Sequence, residues 1–189
     1  MATRFQRRAV LALIVAVASL ALAAVALAAT TIDDPDDTPG KIDSKSVTAT
    51  KTKDGLIKIT VTFFADVPAK GETGNEYLLL WKAKPHALKG APPGAFKETP
   101  YKIQGPQTGK RDVFTGGEDG TPIHKTGTAT VSRKGAKLTF KFAPKAIGSP
   151  KDFYYWHAKS DYYGPESECP GGPCEDNAPD GSKAHKQAL

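Results

Sequence analysis

Alternation of apolar and polar positions is the dominant pattern in this chain. From Ile57 to Phe63, Ile57, Ile59, Val61 and Phe63 fall on one side and Lys58, Thr60 and Thr62 on the other. This two-residue period belongs to a half-buried strand. Ser46–Thr52 precedes it, and Asp54-Gly55 stands between the two, so the pair predicts a hairpin with a D-G turn. A second hairpin is predicted from Thr126–Ser132, Lys134-Gly135 and Lys137–Phe142, with Leu138, Phe140 and Phe142 facing inward. Glu76–Ala83 is apolar on both faces and reads as a central strand ended by Pro85. Phe153–Ala158 reads as the last strand.

About seven strands emerge, with no helical period beyond the leader. An all-β domain over residues 46–165 follows, expected as a two-layer antiparallel β-sandwich, immunoglobulin-like or jelly-roll-like, because each one-sided face needs a covering layer. A small barrel is the alternative. Residues 29–45 read as an acidic linker or an ordered edge loop, and residues 166–189 as a disulfide loop and polar tail. Residues 85–125 are dense in Pro and Gly. They hold short extended pieces at Tyr101–Ile103 and Asp112–Phe114, and so long an irregular stretch suggests a functional loop or further strands.

The N-terminus changes the setting. Arg4, Arg7 and Arg8 precede an apolar run from Ala9 to about Ala29, which ends in small residues. That is the layout of a secretory signal peptide, residues 1–28, forming a signal helix cleaved after Ala28. Retention of the run as an anchor is the competing reading. Either way the body is expected to be exported, secreted or in the cell envelope. The net charge of +6 in 189 residues owes three of its arginines to the leader, and only Arg111 and Arg133 remain beyond it, so nucleic acid is not an expected partner. No membrane association is expected after cleavage.

From Phe114 to Gly181, several motifs follow one another. They are Gly127-Thr128-Ala129-Thr130-Val131, the Leu138–Phe142 strand, Ala146-Ile147-Gly148-Ser149-Pro150, and Asp176-Asn177-Ala178-Pro179-Asp180-Gly181. The order resembles a module of exported bacterial and archaeal β-sandwich proteins, broadly similar to DOMON and family 9 carbohydrate-binding domains. The resemblance implies a non-catalytic sandwich. It departs from haem-binding DOMON members, because the only methionine is Met1.

Candidate chemistry is sparse. Cys169 and Cys174 flank four turn-forming residues and should form a disulfide in an oxidising compartment. Tyr154, Trp156, Tyr162 and Tyr163 could form an exposed aromatic platform that stacks on sugar rings, with Lys159 and Asp161 as polar partners; burial in the core is the competing reading. The acid clusters Asp33, Asp34, Asp36, Asp37 and Glu175, Asp176, Asp180 offer hard oxygen ligands, and Asp176 with Asp180 is the candidate Ca²⁺ set. It lacks a calcium loop's third-position ligand, since Ala178 stands there. His86, His124, His157 and His185 have no metal-ligand spacing. No hydrolase elbow, phosphate loop or zinc-protease motif occurs. The expectation is therefore a secreted, non-enzymatic binder of polysaccharide or cell-envelope polymer. The alternatives are a structural envelope protein without a small ligand, or a carboxylate-dependent hydrolase.

Overall fold

The computed structural model of the chain describes residues 29–38, 42–67, 74–92, 94–116, 122–162, 169, 174–181 and 183–189. The leader, residues 1–28, lies outside them, as does Tyr163. The described body is all-β. It has eleven antiparallel strands and a single 3₁₀ turn at Pro144–Ile147. The strands are β1 (Thr30–Asp33), β2 (Ser44–Lys51), β3 (Ile57–Phe63), β4 (Gly74–Trp81), β5 (Tyr101–Gly105) and β6 (Gly109–Thr115). There follow β7 (His124–Lys134), β8 (Lys137–Phe142), β9 (Phe153–Tyr162), β10 (Cys174–Ala178) and β11 (His185–Ala188).

All belong to one sheet, in the order β1-β2-β3-β8-β7-β6-β5-β4-β9-β10, with β11 also pairing β9. The expected sandwich gives way to a single sheet curled nearly into a barrel. Alternation dictates a buried face but not how the sheet covers it; here the sheet covers itself. Its two ends meet where the Ser44 N–H at the start of β2 donates to Asp176 Oδ2 on β10 at 2.8 Å. Thr38 Oγ1 donates to the Glu175 carbonyl beside that seam at 3.4 Å.

Both expected hairpins form. β2 and β3 turn at Gly55, whose φ of 80° only glycine adopts readily, and β7 and β8 turn at Gly135. The predicted inward sets line the interior: Ile57, Ile59 and Val61 from β3, Leu138, Phe140 and Phe142 from β8, with Leu78 and Leu80 from β4. Gly105 on β5 leaves room for the wall opposite. A Cβ there would stand 2.8 Å from Leu138 Cδ2, across the interior.

Three further segments carry strands: two expected as linker and tail, and the Pro/Gly-rich stretch, whose strands fall on its two expected extended pieces. The acidic lead-in contains β1, which pairs with β2 from Thr30 opposite Ala49 to Asp33 opposite Ser46. The Pro/Gly-rich stretch contains β5 and β6. The C-terminal tail contains β10 and β11, which share the far edge of β9: β10 takes Ala158–Tyr162 and β11 takes Phe153–Trp156.

Candidate functional site

β4 and β9 are neighbours, and both carry large residues on both faces. Their inward residues are core. Their outward residues form a sheet surface in which Tyr77 faces Lys159, Leu79 faces His157, and Trp81 faces Tyr155. An apolar outer face needs a cover, and residues 85–100 supply it. That segment is a folded-back ribbon. Ala87 bridges Phe96, the Leu88 N–H donates to the Ala95 carbonyl at 3.0 Å, and the Lys97 N–H donates to the His86 carbonyl at 2.9 Å. The Glu98 carboxylate accepts from the His86 N–H and contacts His86 Nδ1, both at 2.6 Å. These contacts hold Glu98 below the usual carboxylate range.

The ribbon is seated at three points. Phe96 packs against Trp81 with the rings tilted and their centroids 4.6 Å apart, and meets His157 edge-on at 5.4 Å. The Trp81 indole N–H donates to the Glu98 carbonyl at 2.9 Å. Gly94, at φ 80°, lies so close to β9 and β10 that a Cβ would come within 2.5 Å of Asn177 Oδ1. Beneath it the fully buried His157 ring is held at Nδ1 by the Lys183 carbonyl, 2.9 Å away, and at Nε2 by the Asn177 side-chain amide, 3.0 Å away. Burial holds its pKa below that of a free histidine.

Between ribbon and sheet runs an open cleft of about 440 Å³. Tyr77, Leu79, Trp81 and Phe96 give it an aromatic and apolar wall, extended by Leu88 and Pro92. Lys102, Lys159, Asp161 and Glu175 supply its polar side. Lys159 Nζ bridges Glu175 Oε1 at 3.1 Å and Asp161 Oδ1 at 3.6 Å. Burial raises the Asp161 pKa, with Lys159 opposing the shift. The volume and the mixture of apolar walls with a few polar groups suit a small ligand or one segment of a polymer.

The expected aromatic platform is placed differently. Tyr154 and Trp156 are 1% and 0% exposed, because the β9 alternation turns both into the barrel. Tyr162 is buried too. A ring that fills a core cannot stack on a sugar. Lys159 and Asp161 do line the cleft. The residues missed by sequence reasoning are Tyr77, Leu79, Trp81 and Phe96. The available cue was that β4 is apolar on both faces yet borders a long Pro/Gly segment able to cover one of them.

The cysteines are joined as a Cys169–Cys174 disulfide. The candidate Ca²⁺ pair Asp176 and Asp180 does not stand alone. The seam gathers Asp37, Asp43 and Asp176, each offering a carboxylate oxygen within 4.8 Å of the others, whereas Asp180 is exposed and outside this trio. Burial, then the charges of Asp176, Asp180, Asp37 and Asp43, pushes Asp34 up to about 8. Burial and the adjacent Asp36 carboxyl push Asp43 up to about 7.

No family model matches the chain, and neither a curated protein nor a solved structure matches it.

Proposed function

We propose that the protein is an exported, non-catalytic binder of polysaccharide or cell-envelope polymer, and that the ligand lies in the cleft between the 85–100 ribbon and the outer face of β4 and β9. The observation that carries this reading is the chemistry of the cleft. Tyr77 and Phe96, with an edge of the largely buried Trp81, line it beside Lys102, Lys159, Asp161 and Glu175. A pyranose has an apolar C–H face that suits an aromatic wall and a hydroxyl edge that suits charged donors and acceptors. The charged leader supports export.

The test is retention on insoluble cell-wall polysaccharides and a glycan array, using wild type, Phe96→Ala and Lys159→Met. Retention that falls at least tenfold in both variants, with their melting transitions preserved, supports the reading. No retention on any glycan, or retention unchanged in both variants, contradicts it and favours a structural envelope protein without a small ligand.

One observation favours a second reading, a carboxylate-dependent hydrolase. Asp161 and Glu175 are cross-strand partners in the cleft, held by one lysine nitrogen. Glycoside hydrolysis uses two carboxylates roughly 5–9 Å apart. The Lys159 bridge to both carboxylates counts against it, since a general acid must keep its proton. Release of reducing sugar that disappears in Asp161→Asn would establish this reading.

A further inference from the structure

We propose that the barrel seam is a divalent-cation site, best suited to Ca²⁺, with Asp37, Asp43 and Asp176 as its protein ligands. One carboxylate oxygen from each lies within 4.8 Å of the other two. Calcium binds oxygen at about 2.4 Å, so oxygens on opposite sides of one ion are separated by about twice that distance. The three carboxylates are therefore spaced to share an ion.

An independent observation comes from Asp43. It is 2% exposed, yet neither of its carboxylate oxygens receives an N–H or O–H bond from a neutral or basic group among the described residues, and the polar group beside it is the Asp36 carboxyl, another acid. Buried charges in proteins are paired, hydrogen-bonded or bound to metal. Asp34, also buried, has an unpartnered Oδ2 and stands in the same field of negative charge. Asp36, Asp180 and the buried Glu76 also bear on this cluster and are acids as well, while the buried His157, held below the free-histidine range by burial, faces Asp176 too. None of the ion pairs formed by described lysines or histidines reaches these carboxylates.

Hard carboxylate oxygens select hard cations, and an irregular set drawn from three separate segments suits the flexible coordination of Ca²⁺ better than the near-octahedral demand of Mg²⁺. Asp43 immediately precedes β2, Asp176 lies on β10, and Asp37 lies in the connector after β1. An ion held by all three would cross-link the two ends of the sheet beside the Ser44–Asp176 hydrogen bond.

The test strips the protein with EDTA, then follows its melting temperature and binding calorimetry against CaCl₂, MgCl₂ and NaCl at matched ionic strength. The expected result is a saturable Ca²⁺ response raising the melting temperature by about 5–10 °C at a hundredfold excess over Kd. Asp43→Asn removes one of the crowded charges and should fold without metal, melting no lower than the stripped wild type. It and Asp37→Asn should each bind Ca²⁺ at least tenfold more weakly. Absence of calcium heat together with no rise beyond the NaCl control would overturn the proposal, as would undiminished affinity in Asp43→Asn. A Mg²⁺ response equal to that of Ca²⁺ would overturn the choice of ion.

Discussion

Two glycines of the 85–100 ribbon allow its seating on the barrel to be measured. Gly90 and Gly94 have nearly the same φ, 81° and 80°. A Cβ on Gly90 meets nothing within 4 Å, whereas one on Gly94 meets Asn177 Oδ1 at 2.5 Å and His157 Nε2 at 3.2 Å. Alanine at either position costs about 1 kcal/mol for the left-handed backbone. Only Gly94→Ala adds a clash. Relief requires either lifting the ribbon off the sheet or rotating the Asn177 amide away from His157. Rotation gives up a hydrogen bond worth about 1 kcal/mol, and forced overpacking costs about 1–3 kcal/mol. Gly90→Ala is therefore expected to lose about 1 kcal/mol and Gly94→Ala about 2–4 kcal/mol. Urea denaturation with an unchanged m-value measures both. Equal losses for the two variants would refute the close approach of the ribbon to β9 and β10, and with it the floor-and-cover geometry of the cleft.

Three further outcomes are expected. Gly127→Ala should lose about 1–3 kcal/mol by thermal denaturation, because its Cβ would stand 2.6 Å from Ala146 Cβ and 3.0 Å from Ala146 Cα in the 3₁₀ turn; a neutral effect would place that turn elsewhere. Glu76 is fully buried, its Oε2 bound by the Ser160 hydroxyl and its Oε1 unpartnered, and burial raises its pKa well above 4.5. The folded carboxyl keeps a proton that the unfolded one releases above about pH 4.5, so this group's stabilisation is lost as pH rises. Glu76→Gln should flatten the fall in stability as pH rises above about 5, and an unchanged slope would contradict the assignment. Cys174→Ser opens a short loop and should cost about 2 kcal/mol, read as a lower denaturation midpoint than that of the oxidised protein; a midpoint equal to the oxidised protein's would count against a stabilising disulfide.

Much of the wall was legible in the sequence where strands alternate strongly. β3 and β8 announce themselves because Ile57 to Phe63 and Leu138 to Phe142 put an apolar residue at every second position. β6 and β10 do not. Val113 is the one inward aliphatic side chain among the Lys, Arg and Asp of Gly109–Thr115, and Cys174–Ala178 turns Asp176 inward at the seam, where an acid reads as a turn residue. The closure of the sheet was equally hidden, since it depends on the Ser44–Asp176 contact between residues 132 apart. Alternation correctly divided β9 into two faces but could not say which one faces the interior. Both faces are largely buried, one by the barrel and the other in part by the ribbon, so hydrophobicity alone carried no preference.

The two tryptophans offer the most direct measurement. Trp81 lines the cleft and donates its indole N–H to Glu98, whereas the Trp156 indole is enclosed in the core. A ¹⁵N-labelled sample titrated with soluble cell-wall oligosaccharide has two indole resonances to follow. The Trp81 resonance should move saturably while that of Trp156 stays fixed. Movement of Trp156 alone, or of neither with a glycan that the protein retains, would contradict a ligand site on the outer face of β4 and β9.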